Sequence, residues 1–150
     1  MNTQNQNLSM KWHKRFIELA KFISNWSKDP SSKVGAVIVD SNKRIISMGY
    51  NGFPVGVADS EERLYTKEIK YKIVLHAEEN AIMFAKRDLS DCSLYVSMAP
   101  CSHCAGLIIQ SGIKHVYIQN IEISDRWKES FEYSKKMFEE AGVTFETIDC

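Results

Sequence analysis

The sequence predicts a three-layer α/β/α domain built around a mixed five-stranded sheet. Two observations lead to this fold class. Two β-rich runs at 34–40 and 44–50 are joined by the turn-forming residues 40–43, which predicts an antiparallel hairpin. Strands and helices then alternate through the second half of the chain, and such alternation requires parallel strand pairs covered by helices.

Length and composition restrict the class of protein. The 150 residues are enough for one domain with a sizeable core and too few for two. Lysine and arginine together number 19, as do aspartate and glutamate, and this zero net charge argues against a sequence-blind polynucleotide binder. There is no apolar run of membrane-spanning length and no signal-peptide pattern at the start, so we expect a cytoplasmic protein. Of its four cysteines, Cys92 and Cys150 are expected to be free.

The first half of the domain is predicted to begin with a helix. Residues 1–8 are polar and are expected to form a disordered lead, which leaves residues 9–150 as the single domain. Ser9 is the predicted N-cap, and Asp29-Pro30 ends the helix. Apolar residues recur at three- and four-residue spacing along it and are predicted to face the core: Trp12, Phe16, Leu19, Ala20, Ile23 and Trp26.

Two irregular segments follow the hairpin. Residues 51–56 are dense in glycine and proline, which predicts a tight turn that another group can approach closely. The polar segment 59–72 has only short helical periodicity. It could cover a site as a lid, or it could form a solvated loop.

In the second half of the sequence, the residue pattern predicts the individual helices and strands. Pro100 is placed at the first position of its helix, where its missing N–H costs nothing. The helix starts at His76 and Cys101 are expected to meet at the strand ends where α/β folds bind ligands. The predicted order is helix 76–88, strand 93–97, helix 100–112, strand 114–119, a helix from the end of the loop 120–126 to 142, and strand 143–148.

The chemistry is carried by the motifs at these two helix starts, His76-Ala77-Glu78 and Pro100-Cys101-Ser102-His103-Cys104. Cysteines three residues apart on the first turn of a helix share one face, so Cys101 and Cys104 can bind one zinc ion with His76. Three protein ligands leave a fourth position for water, whose pKa then falls to about 7. Glu78 can move the water's proton without binding the metal. This combination is a signature of zinc-dependent nucleobase deaminases.

Other interpretations use the same residues. Cys-Ser-His-Cys alone is compatible with a thiol redox motif, although such a motif would not need His76-Ala77-Glu78. A closed structural zinc site would take His103 or His115 as its fourth ligand, but His103 points away from the face that the cysteines share. Glu78 could also be only a helix-start carboxylate stabilised by the helix dipole, which is the role we assign to Glu79.

Five blocks of the sequence resemble the deoxycytidylate (dCMP) deaminases of the cytidine/deoxycytidylate deaminase superfamily. They extend over nearly the whole chain after the lead, and the resemblance implies a cytidine-deaminase-like fold. The zinc motif alone would also fit cytidine, cytosine, guanine, riboflavin-pathway and transfer-RNA adenosine deaminases, whereas the first two blocks narrow the resemblance to dCMP deaminases. The blocks are Ser27-Lys28-Asp29-Pro30-Ser31-Ser32-Lys33-Val34-Gly35-Ala36-Val37-Ile38-Val39, Gly49-Tyr50-Asn51-Gly52-Phe53-Pro54, His76-Ala77-Glu78-Glu79-Asn80-Ala81-Ile82, Pro100-Cys101-Ser102-His103-Cys104 and Ala141-Gly142-Val143.

The resemblance implies hydrolysis of dCMP to dUMP and ammonia, which supplies dUMP for thymidylate synthesis. His76, Cys101 and Cys104 would hold one zinc ion per chain. Glu78 would protonate N3 while water adds to C4, and would then protonate the leaving amine. The substrate would be held by Asn51 at the sugar, by Phe53 and backbone groups of Ala77, Ser97, Met98 and Ala99 at the pyrimidine, and by Arg126 at the phosphate.

The same resemblance implies regulation. Family members commonly form homo-oligomers, in particular hexamers, that dCTP activates and dTTP inhibits, and Mg²⁺ would accompany a triphosphate effector. The implied effector site would contain Lys33, Gly49, Tyr50 and Gly52. Two alternatives stay open: a deaminase of another free cytosine nucleotide or nucleoside (dCTP, CMP or deoxycytidine), and a non-catalytic zinc- or nucleotide-binding module on the same scaffold. Neither a polynucleotide nor a membrane is an expected partner.

Overall fold

A computed structural model describes residues 3–150, with side chains described from residue 9 onward. Within that range, eleven helices and strands follow one another along the chain. They are α1 (Thr3–Ser24), β1 (Gly35–Val39), β2 (Ile45–Tyr50), α2 (Glu61–Tyr65), α3 (Lys67–Ile73), α4 (Ala77–Ala85), β3 (Ser93–Val96), α5 (Ser102–Gln110), β4 (His115–Gln119), α6 (Asp125–Ala141) and β5 (Thr144–Ile148).

The strands form one sheet in the order β2-β1-β3-β4-β5. The strand β1 is antiparallel to both of its neighbours, with Val37 opposite Met48 of β2 and Tyr95 of β3. The pairs β3–β4 and β4–β5 are parallel. The predicted mixed five-stranded sheet with an opening antiparallel hairpin is therefore confirmed.

Helices cover both faces of the sheet, as a three-layer domain requires. Alternate residues of β1 point to opposite faces, so Val37 and Val39 pack with Phe16 and Ile17 of α1. On the other face, Ala36 and Ile38 belong to a larger core to which α4, α5 and α6 contribute. Because β1 is buried at all five positions, it lies at the centre of the domain and fixes α1 and α4 relative to each other.

The packing of α1 on β1 depends on Gly35. A Cβ atom at this position would overlap the carbonyl oxygen of Ala20 and lie 2.8 Å from the backbone nitrogen of Ser24. Both atoms belong to the helix backbone, which cannot move without shifting the whole layer. Glycine is therefore required here by close approach and not by a special backbone angle.

We expect Gly35→Ala to lower the free energy of unfolding by about 1–3 kcal/mol, because the added methyl group forces the two layers apart. Gly106→Ala is the matched control, since a Cβ at that helical glycine meets nothing within 4 Å. Its expected effect is neutral or a stabilisation of about 0.5–1 kcal/mol. Urea denaturation of both variants measures the difference, and equal midpoints would contradict the packing argument.

Several predicted boundaries are wrong. The first helix begins at Thr3 and not after Ser9, so of the lead predicted for residues 1–8 only residues 1 and 2 lie outside the described residues. It ends at Ser24, and Trp26 beyond its end is 57% exposed and does not join the core. Pro100 precedes the N-cap Cys101 and is not the first residue of α5.

The segment 59–72 is not a solvated loop, because it contains α2 and all but the last residue of α3. Ser60 caps α2 by accepting a hydrogen bond from the backbone N–H of Arg63 at 3.4 Å. Short helices of five and seven residues leave little periodicity to detect in a sequence. Among the described helices, none has the length and apolarity that crossing a bilayer would require.

Candidate metal centre and active site

Two helix starts bring the predicted zinc ligands together. His76 is the N-cap residue of α4, and Cys101 is the N-cap residue of α5. Cys104 lies in the first turn of α5 and is fully buried. Helix N-termini carry partial positive charge, which favours thiolates and developing negative charge at this point.

The distances among the three side chains fit one tetrahedral ion. Nδ1 of His76 lies 3.2 Å from Sγ of Cys104 and 3.5 Å from Sγ of Cys101. All three ligand atoms lie within 4.8 Å of one another. With Zn–N and Zn–S bonds of normal length, a tetrahedral site separates such atoms by about 3.5–3.8 Å. The group therefore suits zinc bound through Nδ1 of His76 and two sulfurs.

The ligands perturb one another's protonation. The hydrogen bond from the Cys104 thiol, supported by His76, lowers the pKa of Cys101 to about 4 in spite of burial. The hydrogen bond to Cys101 in turn raises the pKa of His76 to about 9, and the same partner and burial raise the pKa of the Cys104 thiol. These shifts favour a thiolate at Cys101, and zinc binding through both sulfurs and His76 would release the protons that the other ligands carry.

Glu78 is enclosed beside the cluster. Its side chain is 4% exposed and lies against Cys104. Burial raises its pKa to about 7, although the positive charge of His76 acts in the opposite direction. A carboxyl group with a pKa near the working pH can both accept and donate a proton, which is what a proton shuttle must do.

The cluster lies in a cavity of about 300 Å³. This volume is at the lower end of the range for small-molecule sites, about 300–1,000 Å³. Two of the predicted metal ligands, His76 and Cys101, line it together with Glu78, and other parts of its wall come from α3, the segment 29–34 and the start of α6. Of the predicted substrate contacts it contains Asn51, Ala77, Met98, Ala99 and Arg126.

Asn51 is 6% exposed and is held by protein groups on both sides of its amide. Its Oδ1 accepts a hydrogen bond from the backbone N–H of Val34 at 2.8 Å, and its Nδ2 donates to the carbonyl of Ser32 at 2.8 Å. An amide oxygen has two lone pairs, so Oδ1 retains capacity for one more donor from the cavity.

Two residues predicted to contact the pyrimidine, Phe53 and Ser97, are not among the described residues that line the cavity. Ser97 is 5% exposed, and its hydroxyl accepts a hydrogen bond from the backbone N–H of Gly35 at 3.0 Å. The side chain of Ser97 thus joins β1 to the end of β3, whereas Met98 and Ala99 continue into the cavity wall.

Arg126 lies at the cavity wall opposite α3. Its guanidinium donates to the hydroxyl of Tyr71 and stacks on that ring at 4.1 Å, and it lies 5.0 Å from the Trp127 ring. The side chain is exposed, and its contacts join the start of α6 to α3. A guanidinium fixed by aromatic stacking still has N–H groups for a phosphate.

None of the four predicted effector residues is among the described residues that line the active-site cavity. Lys33 is exposed and lines a second groove with Lys21 and Phe22, next to the cavity, with which this groove shares Met98. Gly49 is buried where a Cβ would lie 2.5 Å from the carbonyl oxygen of Ala77, and Tyr50 contacts Trp26 at the surface. The backbone of Gly52 is paired with Leu75.

The histidines considered for a closed site point elsewhere. His103 is 71% exposed, with Nε2 3.8 Å from Glu79, and His115 bonds to Thr144 at 2.6 Å. In the described part of the chain, the His/Cys/Asp/Glu group that could hold an ion consists of His76, Cys101 and Cys104. Neither His103 nor His115 is therefore placed to act as a fourth ligand.

Sequence reasoning missed two buried charges at the cavity. Lys70 is 3% exposed and lies 3.1 Å from Asp29, which is 6% exposed. Asp29 stands in a block that the resemblance had already singled out, so it could have been considered. Lys70 could not, because nothing in the polar segment 59–72 distinguishes it from its neighbouring lysines.

Comparison with known proteins gives concordant results. Residues 10–120 match the family model of the cytidine and deoxycytidylate deaminase zinc-binding region. The chain is 52% identical over 135 residues to an uncharacterized deaminase of Aliivibrio fischeri, covering 89% of this chain and 90% of the relative. It is 43% identical over 147 residues to human deoxycytidylate deaminase, covering 91% of this chain and 79% of that protein.

Solved structures of one viral enzyme have the same fold. The dCMP deaminase of cyanophage S-TIM5 in its apo form superimposes with a TM-score of 0.70 at 25% identity, covering 98% of this chain and 99% of that chain. Its complex with dCMP and dUMP gives a TM-score of 0.63 at 26% identity, covering 98% of each chain. The three-layer fold predicted from sequence is thus the fold of a solved nucleotide deaminase.

Proposed function

The chain belongs to the cytidine and deoxycytidylate deaminase family and is a hydrolytic deaminase, and on this premise we propose that it converts dCMP to dUMP and ammonia. The premise supports deamination and a zinc-binding His/Cys/Cys group. The choice of dCMP is the step added here. It is supported by the deoxycytidylate deaminases among the relatives and by the bound nucleotides of the S-TIM5 enzyme.

One observation carries the proposal: a three-ligand metal group opens into the same cavity as a buried carboxyl group that does not belong to it. A structural zinc site would be closed by a fourth protein ligand and would need no such carboxyl group. A redox pair would need neither His76 nor Glu78. The arrangement therefore favours a hydrolytic reaction at a water-accessible metal.

The chemistry divides between the metal and the protein. A zinc ion held by His76, Cys101 and Cys104 would supply a water molecule with a pKa lowered to about 7. Glu78 accepts the proton that this water loses and gives it to N3 as the oxygen adds to C4 of the pyrimidine. The C4–N4 bond then breaks, and Glu78 transfers the remaining proton of the added oxygen to the leaving nitrogen, which departs as ammonia. The net reaction consumes one water molecule.

The rest of the cavity suits a nucleoside monophosphate. Asn51 offers the free lone pair of Oδ1 to a sugar hydroxyl, and Ala77 and Ala99 present backbone groups to the pyrimidine edge. Arg126 lies at the outer wall, where its guanidinium can pair with the phosphate. Charge at the wall would make a phosphorylated substrate bind better than deoxycytidine.

The wider role follows from the product. The dUMP formed would supply thymidylate synthesis, and the reducing cytoplasm would keep both thiolate ligands available. Control by dCTP and dTTP with Mg²⁺, in a hexamer, is proposed from the resemblance to regulated relatives. Lys33 is its best candidate for an effector phosphate, since this exposed cation lines a second groove, which shares Met98 and Ile121 with the active-site cavity.

Ammonia release measures the choice of substrate. With zinc-loaded protein we expect kcat/KM for dCMP to exceed the values for CMP, deoxycytidine and dCTP by at least about tenfold each, which is about 1.4 kcal/mol of discrimination. A deoxyadenosine oligonucleotide serves as the control for a nucleic-acid deaminase and is expected to release none. A preference for deoxycytidine would contradict the phosphate role of Arg126. No release from any of these compounds would favour the non-catalytic module.

A further inference from the structure

Lys70 is a buried cation at the cavity that the proposed chemistry does not use. Its side chain is 3% exposed, although lysine is among the residues least often buried. Nζ donates to Oδ1 of Asp29 at 3.1 Å and to the hydroxyl of Ser31 at 2.6 Å. Burying such a pair is expensive and often adds no stability, so its presence beside a reaction site calls for another role.

Asp29 is the centre of a hydrogen-bond network in the segment before β1. Its Oδ1 accepts the backbone N–H groups of Ser31 at 2.9 Å and Ser32 at 3.0 Å as well as the Lys70 ammonium. Burial opposes ionisation, but these hydrogen bonds hold the pKa of Asp29 below its usual value. The group is therefore a carboxylate at neutral pH, and Lys70 supplies its counter-charge.

The network reaches the predicted sugar contact. Oδ2 of Asp29 lies 3.5 Å from Nδ2 of Asn51, at the limit of a hydrogen bond, whereas Nδ2 donates to the Ser32 carbonyl at 2.8 Å. The strong contacts of Asn51 thus run to Ser32 and Val34, and Asp29 attracts its amide only weakly. Without a counter-charge, the carboxylate would draw Nδ2 toward itself and turn the amide out of its present orientation.

We propose that Lys70 is a positioning residue: by pairing with Asp29 it keeps the Asn51 amide oriented toward the substrate sugar and ties α3 to the segment 29–34. The proposal rests on the proposed function, because Asn51 is taken to contact the nucleotide. The ion pair acts on substrate binding and not on the metal, since the Lys70 ammonium donates to Asp29 and Ser31 and otherwise lies 5.2 Å from the Tyr71 ring, with no contact to a metal ligand among its hydrogen bonds.

The experiment compares Lys70→Met, the double variant Asp29→Asn/Lys70→Met, and Lys72→Met as the matched control, an exposed lysine of the same helix. For Lys70→Met we expect the KM for dCMP to rise about tenfold or more, with kcat within about threefold and zinc content unchanged. The double variant leaves no buried charge unpaired at this pair. Its KM for dCMP is expected to return most of the way to the value of the unmodified protein. Lys72→Met is expected to match the unmodified protein. Lys70→Gln replaces the single variant if Lys70→Met does not fold.

A second readout does not depend on turnover. The side-chain amide ¹H–¹⁵N signals of Asn51, assigned by their loss in Asn51→Asp, should move in Lys70→Met and return toward their original positions in the double variant. An unchanged KM with unmoved signals would overturn the proposal. A KM that stays high in the double variant would also overturn it, because Lys70 would then contact the substrate directly. If the unmodified protein does not deaminate dCMP, the proposed function fails. The amide signals then still test whether the Lys70–Asp29 pair orients the Asn51 amide.

Discussion

Glu78→Gln is expected to lower kcat for dCMP by about 10²–10⁴-fold while the protein retains its zinc. The amide has nearly the same shape and fits the same buried place, but it cannot accept the proton of the water or deliver protons to N3 and to the leaving nitrogen. Because Glu78 is not one of the metal ligands, His76 and the two cysteines keep their geometry. Steady-state ammonia release and metal analysis of the same preparation measure both parts of the expectation.

Glu122→Gln is the matched control, since this exposed carboxylate lines the same cavity without approaching the metal group. Its kcat is expected to stay within about twofold, because general acid-base catalysis requires hydrogen-bond reach to the reacting atoms. A Glu78→Gln variant as fast as the unmodified protein would refute the shuttle. A variant that has also lost its zinc would show that Glu78 supports the ligands, and the rate would then carry no information on proton transfer.

The zinc ligands were predictable because their placement is local. Cys101 and Cys104 are three residues apart, and a helix start puts such residues on one face whatever the rest of the chain does. His76 needed one long-range assumption, that its helix start meets theirs, and strand–helix alternation supplied it. The mixture of antiparallel and parallel strand pairs followed from the same alternation and the opening hairpin, both of which are visible as hydrophobic periodicity.

The walls of the cavity were less predictable because they depend on pairs far apart in sequence. Lys70 and Asp29 are 41 residues apart, and Arg126 and Tyr71 are 55 apart. Nothing in the periodicity of a polar segment says which of several lysines turns inward. Phe53 was assigned to the pyrimidine from the family resemblance alone; it is not among the described residues that line the cavity, and its role stays a prediction.

Cys104→Ser is expected to weaken zinc binding by more than about a hundredfold and to abolish measurable deamination. Removing a partner of a ligand already costs about 10–100-fold in affinity, and here a ligand itself is lost. A serine hydroxyl is not ionised at neutral pH and cannot replace the thiolate. The residue is fully buried in α5, so the change also removes a packed sulfur from the start of that helix. Zinc content after dialysis and ammonia release are the two measurements.

Cys150→Ser separates the metal effect from the loss of any thiol, because this exposed cysteine lies at the end of the chain, far in sequence from the ligands. It is expected to keep both zinc and activity. Adding zinc in excess should restore part of the activity of Cys104→Ser if the defect is affinity alone, and the zinc concentration required then measures the loss. Full activity of Cys104→Ser at one zinc per chain would mean that another residue completes the site. The three-ligand group would then not be the centre at which water is activated.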